Sequence, residues 1–215
     1  MTPGTGAIAE YTDKNNTDGN LVDMTGAELE DIAWSAYGPW FTGPKFKTSV
    51  AYYKYTSSAA NKFTGAPAGS GSNPTQIVTD GSTTAFLAAR GFNQLGRFDP
   101  ATMTIWSFCR LPAVPDATNG ITGISLRINA QGTREIWFTQ PSANQVGRQL
   151  VAASGKCMGQ MVAPLPVAAS APWGVTSDSA GNGWFAASGA NQIVVWRAPY
   201  FDRVLNVSWL ARNNL

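Results

Sequence analysis

The sequence predicts an all-β fold, a β-propeller-like array of about four four-stranded antiparallel blades. One short phrase recurs four times, with 45 to 52 residues between successive copies. Each copy lies among short apolar runs separated by turns rich in Gly, Pro, Asn and Asp. Four short strands repeated at this length are typical of propeller blades. Helical repeats are excluded by the two-residue apolar period, and a single β-sandwich gives no reason for a repeated phrase.

The phrase is most complete in residues 135–148, which read EIWFTQPSANQVGR. Weaker copies begin near residues 39, 84 and 183. One unit of this size cannot bury its own apolar face, so the shared aromatic position is expected to pack between neighbouring units. The anchors that we align are Phe41, Phe86, Phe138 and Phe185.

The third unit sets the pattern for the others. It opens with alternating apolar and polar side chains, the period of a half-buried strand, and Gly132 marks the turn that follows. Pro141 then ends an aromatic second strand. The strands are expected at 123–129, 136–139, 145–151 and 157–165.

The second and fourth units follow the same order, and the first unit is less regular. In the second unit, the strands are expected at 75–79, 85–88, 94–98 and 104–108. In the fourth, they are expected at 173–176, 184–187, 192–197 and 204–210. In the first, the pattern supports only 31–34, 39–42 and 50–55.

The chain divides into a short N-terminal segment, residues 1–23, and a repeat domain, residues 24–215. The four units are expected at about 24–69, 70–116, 117–167 and 168–215. Within the N-terminal segment, 7–12 reads as a strand that either latches onto the last blade or reaches a neighbouring subunit. Residues 15–20 read as a flexible loop, and 24–31 as a short helix.

The two cysteines, Cys109 and Cys157, are one repeat apart. We take them as occupying similar places on neighbouring units, where the distance between them is usually too long for a bridge. The expectation is two unpaired side chains, with a disulfide as the alternative.

Composition excludes several functional classes. Charged residues make up 13% of the chain and the net charge is +2, so neither nucleic acid nor an anionic membrane is an expected partner. No apolar run is long enough for a membrane-spanning helix, and the first residues lack the features of a secretory signal. The absence of histidine excludes Ser-His-Asp and Cys-His catalysis and imidazole metal ligands.

The segment 136–148 resembles the blade motif of the virginiamycin B lyase family of β-propellers. The resemblance extends to 172–175 and 178–185, and covers roughly residues 74–200. It implies seven-bladed enzymes that open a cyclic depsipeptide by elimination, using a histidine, acidic residues and magnesium. This chain departs from that pattern in having no histidine, in having about four units, and in having Gln140 where an acidic residue is common.

Two aspartates are candidates for a binding site. Asp80 and Asp178 occupy matching turns of two units, where hydrogen bonding to nearby backbone amides is the ordinary role. The alternative is that they bind a cation or substrate near the central channel.

Among the tryptophans outside the position that Trp40, Trp137 and Trp184 share, four are candidate binding residues. Exposed rings at such places can stack on sugars or dock on a partner. These candidate binding residues are Trp34, Trp106, Trp196 and Trp209.

These observations favour a non-catalytic structural module of a larger assembly, without a cofactor, whose partners are other protein subunits. A virion component such as a tail, collar or surface protein, or another extracellular assembly, is the expected setting. The alternatives are a carbohydrate- or peptide-binding propeller, with a glycan as ligand, and a diverged metal-dependent lyase that uses carboxylates only.

Overall fold

The computed structural model describes residues 7–10, 20–23, 30–36, 38–43, 49–53, 60–64, 71–82, 84–99, 104–197 and 207–210. An N-terminal two-stranded sheet comprises β1 (Ala7–Glu10) and β2 (Asn20–Asp23). Blade 1 contains β3 (Asp31–Ser35), β4 (Gly38–Thr42), β5 (Ser49–Tyr53) and β6 (Ala60–Thr64). Blade 2 contains β7 (Pro74–Thr79), β8 (Ala85–Ala89), β9 (Gln94–Asp99) and β10 (Thr104–Arg110). Blade 3 contains β11 (Ile124–Ile128), β12 (Arg134–Gln140), β13 (Gln145–Val151) and β14 (Cys157–Pro164). Blade 4 contains β15 (Pro172–Ser177), β16 (Gly183–Ala187), β17 (Gln192–Trp196) and β18 (Val207–Leu210).

Each blade is an antiparallel meander in which sequence neighbours pair. The first strands of the blades lie side by side, because β7 packs against both β3 and β11, and β15 packs against β11. The described strands of blade 4 and blade 1 do not pack together, so the four blades form an open arc. The predicted all-β, propeller-like fold is confirmed.

The repeated Asn-Gln pair has a conformational origin. After the second strand of blades 2, 3 and 4, a single 3-10 turn ends at an asparagine with φ between 50° and 52°. Asparagine is among the few residues that adopt this left-handed conformation readily. These residues are Asn93, Asn144 and Asn191.

The side chain of Asn144 also fixes the connection that leads into the next blade. Its amide group donates to the carbonyls of Leu165 and Val167, and its Oδ1 accepts from the Ser170 amide. Asn93 donates in the same manner to the Pro112 carbonyl at 2.7 Å. The phrase therefore encodes both a turn and its attachment to the following connection.

The apolar cores lie between blades. In blades 1 to 3, the second strand presents one ring to the following blade, and in blades 2 to 4 the next residue of that strand faces the preceding blade. Trp40 packs with Leu87, Phe86 with Phe138, and Trp137 with Phe185.

Strand pairing corrects the alignment of the phrase in blade 2. Leu87 lies opposite Gly96 just as Phe138 lies opposite Gly147, so Leu87, and not Phe86, is the counterpart of Phe138. Phe86 takes the position of Trp137, which faces the following blade. Matching phenylalanine to phenylalanine shifts the alignment of blade 2 by one residue. A shift of one residue moves each side chain to the opposite face of the strand.

The cysteines form a disulfide, so the expectation of two unpaired side chains is wrong. Cys109 and Cys157 are bonded with their Cα atoms 6.0 Å apart. They are not in equivalent places, because Cys109 lies near the end of β10 and Cys157 begins β14. A register shift between Ser107 and Cys109 alters the course of β10 just before the bridge.

For the N-terminal segment, the structure corrects the predicted partner of the strand and describes little of the predicted loop and helix. The strand begins at Ala7 as expected, but it pairs with β2 and not with the last blade. Most of the predicted loop at 15–20 and of the predicted helix at 24–31 lies outside the described residues. Asp31 already belongs to β3, and blade 1 has a fourth strand, β6, that the pattern did not indicate.

Candidate functional site

The turn aspartates are occupied by hydrogen bonds within the protein. In Asp80, Oδ1 accepts from the Ser82 amide and hydroxyl at 3.0 and 2.7 Å, and Oδ2 accepts from Arg134 Nη2 of the next blade at 2.7 Å. Burial by itself raises the pKa of this carboxyl, but the hydrogen bonds from Ser82 and Arg134 hold the pKa below its usual value. Asp80 therefore fixes its own turn and joins blade 2 to blade 3.

Asp178 holds the matching turn of blade 4. Its carboxylate accepts from Trp184 Nε1 at 2.9 Å and from the Asn182 amide and side chain at 2.9 and 2.7 Å. The bonds from Trp184 and Asn182 lower the pKa of this carboxyl to about 2. Among the described residues, no group of three or more His, Cys, Asp and Glu side chains is placed to hold a metal ion.

The four candidate tryptophans have different surroundings. Trp34 is 63% exposed at the end of β3. Trp196 is buried and packs edge-on against Trp137, with ring centroids 5.7 Å apart, so it is a packing residue and not a surface ring. The side chains of Trp106 and Trp209 lie outside the described part of the chain.

A fifth tryptophan, Trp173, forms part of a polar and aromatic cluster that the sequence prediction missed. It is 48% exposed near the start of β15, and the Arg90 guanidinium lies over its ring, 5.4 Å from the centroid. Arg90 also donates to Asn119 Oδ1 from Nε at 3.0 Å and from Nη2. We call Glu30, Arg90, Asn119 and Trp173 the mouth cluster, because all four lie on the rim where the first strands of the blades begin.

Glu30 supplies the acidic group of the mouth cluster. Burial raises the pKa of its carboxyl, the nearby Arg90 charge lowers the pKa, and Asp31 raises it again, with a net rise. An exposed indole with a guanidinium over one face is the kind of surface on which polyhydroxylated ligands stack. Trp173 escaped notice in the sequence because it stands within the Pro-Trp-Gly-Val element of the repeat.

The two ends of the arc form a second candidate site. We call the side of a blade that faces the preceding blade its leading face, and the side that faces the following blade its trailing face. On the leading face of blade 1, Ile32 and Trp34 are 50% and 63% exposed, whereas Phe41, which lies opposite Ile32, is buried. On the trailing face of blade 4, Ile193 is 53% exposed and Ala186 is also exposed.

The same positions are buried inside the arc. Ile32 lies opposite Phe41 as Ile124 lies opposite Phe138, and Ile124 is 2% exposed in the core between blades 2 and 3. Ile193 corresponds to Val146, which is fully buried between blades 3 and 4. The end faces thus keep the apolar residues of an inter-blade contact.

Solved structures with a related fold include the virginiamycin B lyase of Staphylococcus aureus. The likeness to that lyase covers 97% of this chain and 64% of the lyase, with a TM-score of 0.71 and 18% identity. The chain has a virginiamycin B lyase-like propeller fold. A streptogramin B lyase structure gives a TM-score of 0.72 at 18% identity, covering 98% of this chain and 64% of that one. A luciferin-regenerating enzyme gives 0.64 at 12% identity, covering 98% and 70%.

This chain spans less than two thirds of the length of the lyases that it resembles. A histidine-to-alanine variant of the Staphylococcus aureus lyase is described as catalytically inactive, whereas this chain has no histidine. No protein-family model and no curated protein matches the sequence. In the described residues, no helix is long and apolar enough to cross a membrane.

Proposed function

We propose that this chain is a non-catalytic structural propeller module that works within a larger protein assembly. The observation that carries the proposal is the exposure of apolar side chains on both end faces of the arc. Ile32 and Ile193 are each about half exposed, although their counterparts inside the arc are buried. A terminal repeat that meets only water normally has a polar outer face.

The chemistry of the chain supports a structural role. It has no histidine, and its two turn aspartates are held in internal hydrogen bonds. We propose a virion component, such as a tail, collar or surface protein, on the grounds of low charge and strands rich in small residues. The bridge between Cys109 and Cys157 supports an assembly outside a reducing cytosol.

The proposal is tested by the concentration dependence of stability. Association of the native state raises the unfolding midpoint as the protein concentration rises. We expect such a rise for the purified chain, and we expect Ile193→Asp to remove it. Met158→Asp is the matched control, because Met158 is 60% exposed on β14, away from both end faces. A monomer with a cooperative, concentration-independent transition would contradict the proposal.

A second candidate function is carbohydrate binding at the mouth cluster, which Trp173 favours. One face of its ring lies against Arg90, and about half of the residue is open to solvent. The open part of the indole is a surface on which a sugar ring could stack.

Glycan-array binding, followed by titration of the best oligosaccharide, tests this function. We expect binding to the natural chain and its loss in Trp173→Ala. Trp34→Ala is the control, because Trp34 is the more exposed residue. It lies near the C-terminal end of β3, whereas Trp173 lies near the N-terminal end of β15. Absence of glycan binding, or equal loss in both variants, would count against a sugar site at the mouth cluster.

A further inference from the structure

We propose that the partner of the end faces is a second copy of this chain, with the trailing face of blade 4 of each copy packed on the leading face of blade 1 of the other. This inference rests on the proposed structural function and names its partner. The resulting assembly is a closed ring of eight blades with two identical contacts.

Each interior contact uses the same set of positions. A ring on the trailing face packs with an aliphatic side chain of the next first strand, as Trp40 does with Ile77 and Phe86 with Ile124. In the third contact, Val175 has this first-strand position and packs against the core that contains Trp137. The repetition defines what a fourth contact would require.

Both halves of that fourth contact are present in the chain, at its two ends. Blade 4 has Trp184 at the position of Trp137 and Ile193 at the position of Val146. Blade 1 has Ile32 at the position of Ile124. The two end faces therefore have apolar side chains at positions through which the interior blades meet.

Two of the interior contacts also have a hydrogen bond at an equivalent position. Thr42 Oγ1 donates to the Thr75 carbonyl at 2.8 Å, and Thr139 Oγ1 donates to the Trp173 carbonyl at 2.9 Å. Both threonines hold the second strand of one blade against the first strand of the next. Ala186 is their counterpart in blade 4, and it is exposed, so this position marks where blade 1 of a second copy would lie.

A single copy does not bring the two end faces together. Within one chain, the described strands of blades 4 and 1 do not pack together. Two copies related by a two-fold axis bring each trailing face against the other leading face, so every contact occurs twice. Eight blades lie within the usual range of four to eight for propellers.

Site-directed crosslinking tests this arrangement. One preparation has Ala186→Cys and the other Ile32→Cys, two exposed positions whose change leaves the interior cores intact. The native cysteines are paired and do not react with a short bis-maleimide. We expect a crosslinked dimer when the two preparations are mixed, and almost none when either is treated alone, because the proposed contact brings position 186 of one copy to position 32 of the other.

The controls separate this inference from the proposed function. Replacing Ile32→Cys by Met158→Cys in the mixture is expected to abolish the crosslink. Dimers that form mainly in a single preparation, or a crosslink within one chain of the double variant, would overturn the head-to-tail arrangement. If the unfolding midpoint still rises with concentration in that case, the proposed assembly stands with a different geometry; if it does not, both fail.

Discussion

The contact between blades 2 and 3 and the contact between blades 3 and 4 use the same repeat positions but are held by different forces. Blades 2 and 3 are joined by the Cys109–Cys157 disulfide and by the Asp80–Arg134 ion pair. Blades 3 and 4 rely on the large ring of Trp137, packed against Phe185 and Trp196.

The difference follows from the ring on the trailing face. Blade 2 has Phe86 where blade 3 has Trp137, and the smaller ring buries less apolar surface. The covalent and ionic links occur at the contact with the smaller ring. One repeat thus tolerates different means of attachment between blades, provided that each contact is stable enough.

The largest expected effect is at the aromatic contact. Trp137→Ala removes a fully buried indole from the core between blades 3 and 4, and we expect a loss of about 3 to 5 kcal/mol in the free energy of unfolding. Trp184→Ala is the matched control, because Trp184 holds the same position on the open trailing face and is only partly buried. Denaturant titration at dilutions where the chain is monomeric measures both. If both variants lost the same free energy of unfolding, burial of the indole between blades 3 and 4 would not explain the effect of Trp137→Ala.

The disulfide is expected to come next. Cys109 and Cys157 are 48 residues apart, and closing a loop of that length stabilises the folded state by about 2 to 4 kcal/mol. We expect the Cys109→Ala/Cys157→Ala variant to lose that amount in denaturant titration. Reductant should lower the stability of the natural chain by a similar amount and leave the variant unchanged. Two thiols that react under denaturing, non-reducing conditions would contradict the bridge.

The ion pair between blades 2 and 3 is expected to have a smaller effect. Arg134→Met keeps the aliphatic stem but leaves the Asp80 carboxylate, which is 2% exposed, without its cation. Hydrogen bonds to charged groups typically contribute about 1.5 to 3 kcal/mol. A double-mutant cycle with Asp80→Asn, which keeps the Oδ1 acceptor for Ser82, isolates the coupling. Coupling near zero would mean that Asp80 acts only within its own turn.

The strands were largely predictable because alternation and turn residues are local signals. The third strand of blade 3, β13, begins and ends at the predicted residues. β6 was missed because its sequence, ANKFT, contains a single large apolar side chain. Local patterns identify a strand where apolar residues alternate with polar ones or follow one another in a short run, and β6 does neither.

The contacts between blades were less predictable because they depend on register and on the path of the outer strands. The phenylalanine alignment of blade 2 was shifted by one residue, and a shift of one residue is decided by pairing with Gly96, not by residue type. The disulfide depends on the irregular end of β10. The mouth cluster draws Arg90, Asn119 and Trp173 from blade 2, a connection and blade 4, and no sequence motif joins them.

The smallest expected effect is on stability at acid pH, where an aspartate that joins two blades differs from one that acts within a single blade. Asp178 has a pKa of about 2, mainly because Trp184 and Asn182 donate to its carboxylate. Its folded pKa lies below the ordinary value, so its contribution to stability is complete above about pH 4 and is lost as the pH falls towards 2. Trp184→Phe removes the first of these donors, and an NMR titration of the side-chain carboxyl should then place the pKa of Asp178 closer to its ordinary value. The pKa of Asp80, which is lowered by Ser82 and Arg134, should not change in that variant but should rise in Arg134→Met. An Asp178 pKa that is the same with and without the indole donor would assign the shift to the turn amides instead.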